Sequence, residues 1–145
     1  MPLKYSAKTL WYFQKLQKNI KVGKSRAIFR VAALVRTSAK RSLRLRAGPS
    51  QAPAPPHAHT RAGLRAIAFA VDPSLDSAIV GPIKFAGSNF FDSPVPHIHE
   101  FGGSYLARTG IYQYPERSYM SSTLKKLVAQ GAIPRQFSAS LAEVL

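Results

Sequence analysis

The first 65 residues constrain the fold most, because they contain 15 of the chain's 21 lysines and arginines and no aspartate or glutamate. The other 80 residues carry six basic and six acidic side chains, so the formal charge of +15 belongs to the N-terminal half. Helices in this half cannot form internal ion pairs, and like charges four residues apart cost roughly 0.2–0.5 kcal/mol per pair. We therefore expect stabilisation by tertiary packing or by an anionic partner, usually nucleic acid. A solvated basic face is the alternative.

Length and composition set the organisation of the chain. With 145 residues, the chain has the length of one domain. It contains no cysteine, which excludes disulfides and thiolate zinc sites. No stretch resembles a secretory signal or approaches the roughly 20 apolar residues that span a bilayer. We expect a single domain, 1–145, with an N-terminal helical extension (1–23), a core (24–130) that includes an extended loop (47–62), and a C-terminal arm (131–145).

Helical periodicity predicts two amphipathic helices at the N-terminus. The first spans about 7–22, with Ser6 as its cap and Gly23 at its end; the second spans about 26–46, with Ser25 as its cap. The second has an apolar stripe made of Ile28, Val31, Ala32, Val35, Ala39 and Leu43. The residues that we expect to face DNA or a protein partner are Arg36, Lys40, Arg41, Arg44 and Arg46.

The remaining elements alternate between strands, turns and helices. The proline-rich stretch 47–63 predicts an extended arm, because its four prolines exclude a regular helix. Alternating side chains predict a β-hairpin of 64–71 and 77–83, and weaker signals indicate a strand at 105–114 and a helix at about 116–130. The order predicts an α+β fold: basic amphipathic N-terminal helices on a small antiparallel sheet, with a proline-rich loop and a short C-terminal helix.

The stretch HIHEFGG, residues 97–103, raises the question of a metal site. Its two histidines, with the pair at positions 57 and 59, could supply four nitrogen ligands. Neither pair lies in a clear strand, where alternate residues converge on a metal, and no carboxylate outside the stretch is placed to orient them. We interpret the stretch as a turn in which Pro96 begins one helical turn, Phe101 packs into the core and Gly102 ends it.

Features of enzymes are missing from the sequence. There is no cysteine nucleophile, no serine in an elbow sequence and no pair of neighbouring carboxylates, and no glycine-rich loop could hold a phosphate. The sequence therefore predicts a protein without catalytic residues, cofactor or metal.

Five stretches occur along the chain in a set order: AALVRTSAKRS, PSQAPAPPHAHTRAGLRAIAFAV, DSAIVGP, HIHEFGG and YPERSYM. Together they resemble the tail-completion or head–tail joining proteins of tailed bacteriophages, also called virion morphogenesis proteins, over about residues 26–128. The resemblance marks as structural Gly63, Gly81, Pro82, Glu100, Phe101, Gly102, Gly103, Pro115 and Arg117. Two positions depart from the family pattern: Arg61 and Ala62 separate Thr60 from Gly63, and Ser118 replaces a proline.

The resemblance implies a structural protein of the phage neck. Such a protein completes the tail and joins it to the head connector as an oligomeric ring, commonly six-fold, around the DNA channel. The implied partners are other copies of the chain, a head connector or stopper protein, a tail terminator or tube protein, and the packaged DNA, with no membrane. The implied location is the virion, and the host cytoplasm during assembly.

A small basic RNA-binding or ribosomal protein is the alternative. It explains the charge and the proline-rich loop equally well, but not the order of the five stretches. The sequence also carries no aromatic stacking motif typical of RNA-binding domains.

Overall fold

The computed structural model describes residues 7–48, 50–51, 54–58, 63–74, 76–83, 95–107 and 109–144. The fold is mixed helix and sheet, as predicted. The elements in chain order are α1 (Ala7–Ser42), a 3₁₀ turn (Gly63–Arg65), β1 (Ile67–Asp72), β2 (Ser77–Pro82), α2 (Val95–Phe101), β3 (Gly103–Ala107), β4 (Gly110–Tyr114), α3 (Met120–Ala129) and α4 (Ala132–Ala142). Each strand pairs only with its neighbour in sequence, so the described residues form two two-stranded antiparallel sheets.

The N-terminal half forms one long helix, so the prediction of two helices is wrong. Helix α1 continues for 36 residues through Gly23 and Ser25. The reason lies in the packing of α4 on α1: a Cβ atom at Gly23 would stand 2.6 Å from Val144 Cγ2 and 3.1 Å from Leu141 Cδ2. Glycine therefore allows the close approach here instead of ending the helix. The predicted cap Ser6 lies outside the described residues.

The hydrophobic core forms where α1 meets β1 and the start of α3. Its fully buried members are Ala39, Leu43, Ile67 and Tyr119, and Leu64, Val80 and Met120 pack against them. Ile28, Ala32 and Val35 are also buried, which confirms the predicted stripe of α1 as its packing face. Because burial of apolar surface is the dominant favourable term in folding, this stripe is what joins α1 to the sheet.

The first hairpin was predicted well. Strands β1 and β2 pair from Ile67 opposite Pro82 to Asp72 opposite Ser77. The strand ends at Pro82, and just beyond it the N–H of Ile83 donates to the carbonyl of Ala66 at 2.7 Å. Proline is tolerated there because β2 is an edge strand.

The predicted single strand at 105–114 is a second hairpin, made of β3 and β4. Leu106 lies opposite Ile111, and Ala107 opposite Gly110. Gly110 has a φ of 141°, which other residues rarely adopt, so the chain can reverse at this point. The described part of the chain therefore contains two separate small sheets instead of one.

Two cations of α1 are paired with carboxylates from the C-terminal half. Lys24 forms an ion pair with Asp76 in the turn between β1 and β2. Arg30 makes two hydrogen bonds to Glu143, at 2.6 and 2.8 Å, and one to the hydroxyl of Ser140 at 3.2 Å. Exposed pairs of this kind contribute about 0–1 kcal/mol each, so they orient the elements more than they stabilise them.

Helix α3 is capped by a carboxylate from another element. Glu100, which is buried in α2, accepts hydrogen bonds from the backbone N–H groups of Tyr119 at 2.9 Å, Met120 at 3.0 Å and Ser121 at 2.7 Å. Burial by itself raises the pKa of this carboxyl, but the hydrogen bonds from Met120, Ser121 and Tyr119 outweigh it, and the pKa is lowered. The carboxylate thus satisfies N–H groups that every helix N-terminus leaves free.

The C-terminal arm expected at 131–145 contains a helix that packs on α1. Gly131 has a φ of 62° and lies between α3 and α4, directly after the helix that we predicted at about 116–130. It allows the chain to turn back, so that α4 lies against α1 near Gly23.

We predict that Glu100→Gln lowers the free energy of unfolding and flattens its dependence on pH. The loss should be about 2 kcal/mol near pH 7, because hydrogen bonds to a charged group contribute about 1.5–3 kcal/mol. A lowered pKa in the folded state means that the contribution of the carboxylate is complete above its ordinary value of 4.5 and is lost as the pH falls through the lower folded value. Urea unfolding at about pH 7 and about pH 3 measures both effects.

The exposed Glu116 provides the matched control. Glu116→Gln should change stability by no more than about 0.5 kcal/mol at either pH. The tertiary cap would be contradicted if Glu100→Gln and Glu116→Gln had the same stability and the same acid dependence.

Candidate nucleic-acid or partner interface

The last third of α1 and the residues after it carry the cations that the sequence singled out. Lys40 and Arg41 lie in the last turn of α1, and Arg44 and Arg46 follow the end of the helix, whereas the buried Ala39 and Leu43 face the core. Arg41, Arg44 and Arg46 are exposed and Lys40 is half-buried. We call Lys40, Arg41, Arg44 and Arg46 the α1 cationic surface.

Arg36 does not belong to this surface. Its Nε atom donates a hydrogen bond to the carbonyl of Ile67 at 2.8 Å, and the contact is partly buried. Arg36 therefore holds the first residue of β1 against α1. Our expectation that Arg36 faces a partner needs this correction.

Arg65 joins the surface from outside α1. It lies in the 3₁₀ turn, where we had expected the bulky face of a strand. The pKa of Lys40 is lowered by burial and then by the nearby positive charges of Arg36 and Arg65. Like charges held this close repel one another, and an anion bound among them would relieve that repulsion.

A cleft of about 350 Å³ opens beside Arg41, between α1 and α3. Lys126 supplies a second cation, and Ser38, Ser42 and Gln130 supply hydroxyl and amide groups. Cations combined with such donors suit a phosphate or a carboxylate. The sequence could not indicate Lys126, because α3 reaches Arg41 only through the fold.

The proline-rich loop fixes the backbone at the end of the surface. The N–H of Ala58 donates to the carbonyl of Arg44 at 2.9 Å, and the N–H of Arg46 donates to the carbonyl of Ala58 at 3.3 Å. Pro56 and Ala58 are buried. The described part of the loop thus packs on its own chain, whereas we expected an extended arm. Thr60 and His59 lie outside the described residues.

The HIHEFGG stretch forms the end of helix α2 and the start of β3, and its phenylalanine does not anchor the core as we expected. Phe101 is 67% exposed and lies beside His97, with 4.8 Å between the ring centroids. Ile98 and Glu100 are buried instead, because the carboxylate has to reach the N-terminus of α3. Gly102, with a φ of 71°, ends α2 as predicted.

The other structural positions connect these elements. Gly102 stands so close to the next segment that a Cβ atom would lie 3.0 Å from the backbone nitrogen of Glu116. Arg117 donates its N–H to the carbonyl of His99 at 2.8 Å and a guanidinium N–H to the hydroxyl of Ser50 at 2.7 Å. Gly103 has a φ of 136° at the start of β3, and exposed Pro115 lies between β4 and α3.

Histidines do not converge on one point among the described residues. The Nδ1 atom of His57 lies 3.0 Å from the carbonyl of Gly48, and the pKa of His99 is lowered by burial and then by the charge of Arg117. Within the described ranges, no group of three or more histidine or acidic side chains is placed to hold a metal ion. None of the described helices is both long enough and apolar enough to cross a membrane.

Comparisons with protein-family models, with curated proteins and with solved structures found no match to this chain.

We predict that replacing Lys40, Arg41 and Arg44 together with glutamine weakens binding to duplex DNA while leaving the fold stable. Each lost phosphate contact should reduce the slope of log affinity against log salt by about 0.9. Fluorescence anisotropy at several salt concentrations measures both quantities.

The matched control replaces Lys15, Lys18 and Lys21, which removes the same charge from the exposed start of α1. If both triple variants lose the same affinity, net charge and not a local surface explains binding.

Arg36→Gln should instead lower the free energy of unfolding by about 1–3 kcal/mol, because it leaves a partly buried carbonyl without its donor.

Proposed function

We propose that this chain is a structural protein of a tailed-bacteriophage neck, which completes the tail and joins it to the head connector as a ring of identical subunits around the DNA channel. One observation carries the proposal: stretches that are far apart in sequence, and on which the resemblance rests, contact one another. Glu100 of HIHEFGG caps the N–H groups of Tyr119 and Met120 in YPERSYM. Arg117 of YPERSYM donates to Ser50 in the proline-rich loop.

These contacts give the order of the stretches a physical reason. A carboxylate that caps a helix, a glycine that lets two backbones approach, and an arginine that reaches a loop each need a partner from another part of the chain at hydrogen-bond or van der Waals distance. These contacts favour the family resemblance over a chance recurrence of short motifs.

Exposed apolar side chains in two parts of the chain favour a protein that assembles with other copies. Trp11, Phe13 and Leu16 at the start of α1 are exposed, and so is the cross-strand pair of Leu106 (73%) and Ile111 (69%) in the β3–β4 hairpin. An isolated two-stranded hairpin is marginally stable in water. Neighbouring subunits in a closed ring would cover both parts and stabilise them.

The α1 cationic surface fits a ring through which DNA passes. The exposed Arg41, Arg44 and Arg46 and the half-buried Lys40 attract a phosphate backbone and read no base sequence. The same surface suits acidic faces of the head connector or stopper protein, and of the tail terminator or tube protein. In this proposal the chain acts without catalysis, in the virion and, during assembly, in the host cytoplasm.

A small basic RNA-binding or ribosomal protein is the second candidate. The α1 cationic surface together with Arg65 and Lys126 favours it, since RNA also presents a phosphate backbone. The two candidates differ in mass: the first requires a ring of several subunits, the second a monomer bound to RNA.

We predict that the purified chain, after nuclease treatment, forms a closed oligomer of several copies and is present in purified phage particles. Light scattering and negative-stain imaging measure the first property, and mass spectrometry of particles measures the second. A monomer at all concentrations that is also missing from particles would contradict the proposal. A monomer that purifies with RNA and loses stability on ribonuclease treatment would favour the second candidate.

A further inference from the structure

The start of α1 presents an apolar stripe. We call residues 11–22 the helical arm. Phe13, Leu16 and Ile20 recur at spacings of three and four, and they are 57%, 45% and 44% exposed. Such spacing places them on one face of the helix. Lys15, Lys18 and Lys21 lie away from that face.

The same helical face is a packing face further along. Continuing the spacing of three and four from Ile20 leads to Gly23 and Ala27, which are both buried. At Gly23 the side chains of Leu141 and Val144 lie against the helix. The face is therefore covered from Gly23 onward and exposed along the helical arm, where no described element of the chain covers it.

An open apolar cleft lies elsewhere on the molecule, between the β1–β2 hairpin and helices α1, α2, α3 and α4. Its volume is about 570 Å³, and its apolar lining includes Ile28, Val31, Val35, Val80, Leu124 and Phe137. The charged residues that line it are Asp76 and Glu100, and no basic residue is among those that line it. Both carboxylates already have partners, Asp76 with Lys24 and Glu100 with the N-terminus of α3. Because no basic residue is among the lining residues, a lysine-bearing helix meets no like charge there.

The helical arm cannot occupy the cleft of its own molecule. Both belong to the same continuous helix, since Val31 of the cleft lies 18 residues after Phe13 of the arm. At a rise of 1.5 Å per residue the two are about 27 Å apart along the axis. Only the arm of another copy can reach the cleft.

We propose that the helical arm of one copy docks in the apolar cleft of the next, with Phe13, Leu16 and Ile20 as its anchors. An amphipathic helix that binds a groove uses anchors at this spacing. The contact is head-to-tail, because the arm and the cleft are different surfaces, and such contacts close into rings when the rotation between copies permits. This inference rests on the proposed ring and identifies the contact that would build it.

Cysteine cross-linking tests the docking directly, because the chain contains no cysteine of its own. Leu16→Cys and Leu124→Cys chains are prepared separately, mixed and oxidised. A disulfide-linked pair containing one chain of each kind is expected. The matched control is Lys18→Cys mixed with Leu124→Cys, which should cross-link at least tenfold less, because Lys18 lies on the opposite face of the arm.

Two further measurements separate this inference from the proposed function. Phe13→Glu with Leu16→Glu should keep the fold, since both side chains are exposed, and should reduce the oligomer to monomers by light scattering. If the double variant still forms the wild-type ring, the inference is wrong and the ring stands. If Leu16→Cys chains cross-link to one another and not to Leu124→Cys, the arms pair together and the inference is also wrong. If the wild-type chain is a monomer at all concentrations and is missing from phage particles, both proposals fail.

Discussion

Helix α1 has no acidic side chain along its 36 residues, and this absence determines which contacts other elements make with its cations. Its positive charges cannot be neutralised within the helix, so their partners come from other elements. Asp76 reaches Lys24 from the first hairpin, and Glu143 reaches Arg30 from the C-terminus. Arg36 uses a carbonyl of β1 instead. The hydrophobic stripe supplies most of the stabilisation, and these contacts determine which part of the chain lies beside each turn of α1.

The second organising contact joins two elements that are adjacent in space and 20 residues apart in sequence. Glu100 supplies the negative charge that the N-terminus of α3 lacks, since no acidic residue occurs in the first turn of that helix. Burial of the ring and then the charge of Glu100 raise the pKa of Tyr119, so the phenol stays neutral in the core. One carboxylate thus positions α2, α3 and a central aromatic ring relative to one another.

Patterns with a local physical cause were predictable from the sequence. The buried stripe of α1, the β1–β2 hairpin and the glycine ends at Gly102 and Gly131 all follow from periodicity or backbone preference. The failures have tertiary causes. Gly23 stays helical because α4 packs on it, and Phe101 is exposed because its neighbour Glu100 takes the inner position. The helical arm and the hairpin at 103–114 carry exposed apolar side chains that the proposed ring would cover.

The sequence could likewise indicate some residues of the candidate interface and not others. Exposure of Arg41, Arg44 and Arg46 follows from their placement opposite or beyond the stripe, so the sequence could indicate them. The hydrogen bond of Arg36 and the approach of Lys126 depend on partners that periodicity does not reveal.

Hydrogen–deuterium exchange along α1 tests the central claim most directly: this helix is stabilised by its own chain after Gly23 and by a neighbouring copy before it. An uncovered helix of about 12 residues is marginal in water, so its amides should exchange rapidly in a dilute monomer. The account predicts slow exchange for residues 24–42 at every concentration, and slow exchange for residues 11–22 only when the oligomer forms. Equally slow exchange in both segments of the monomer, or rapid exchange of residues 11–22 within the oligomer, would contradict it.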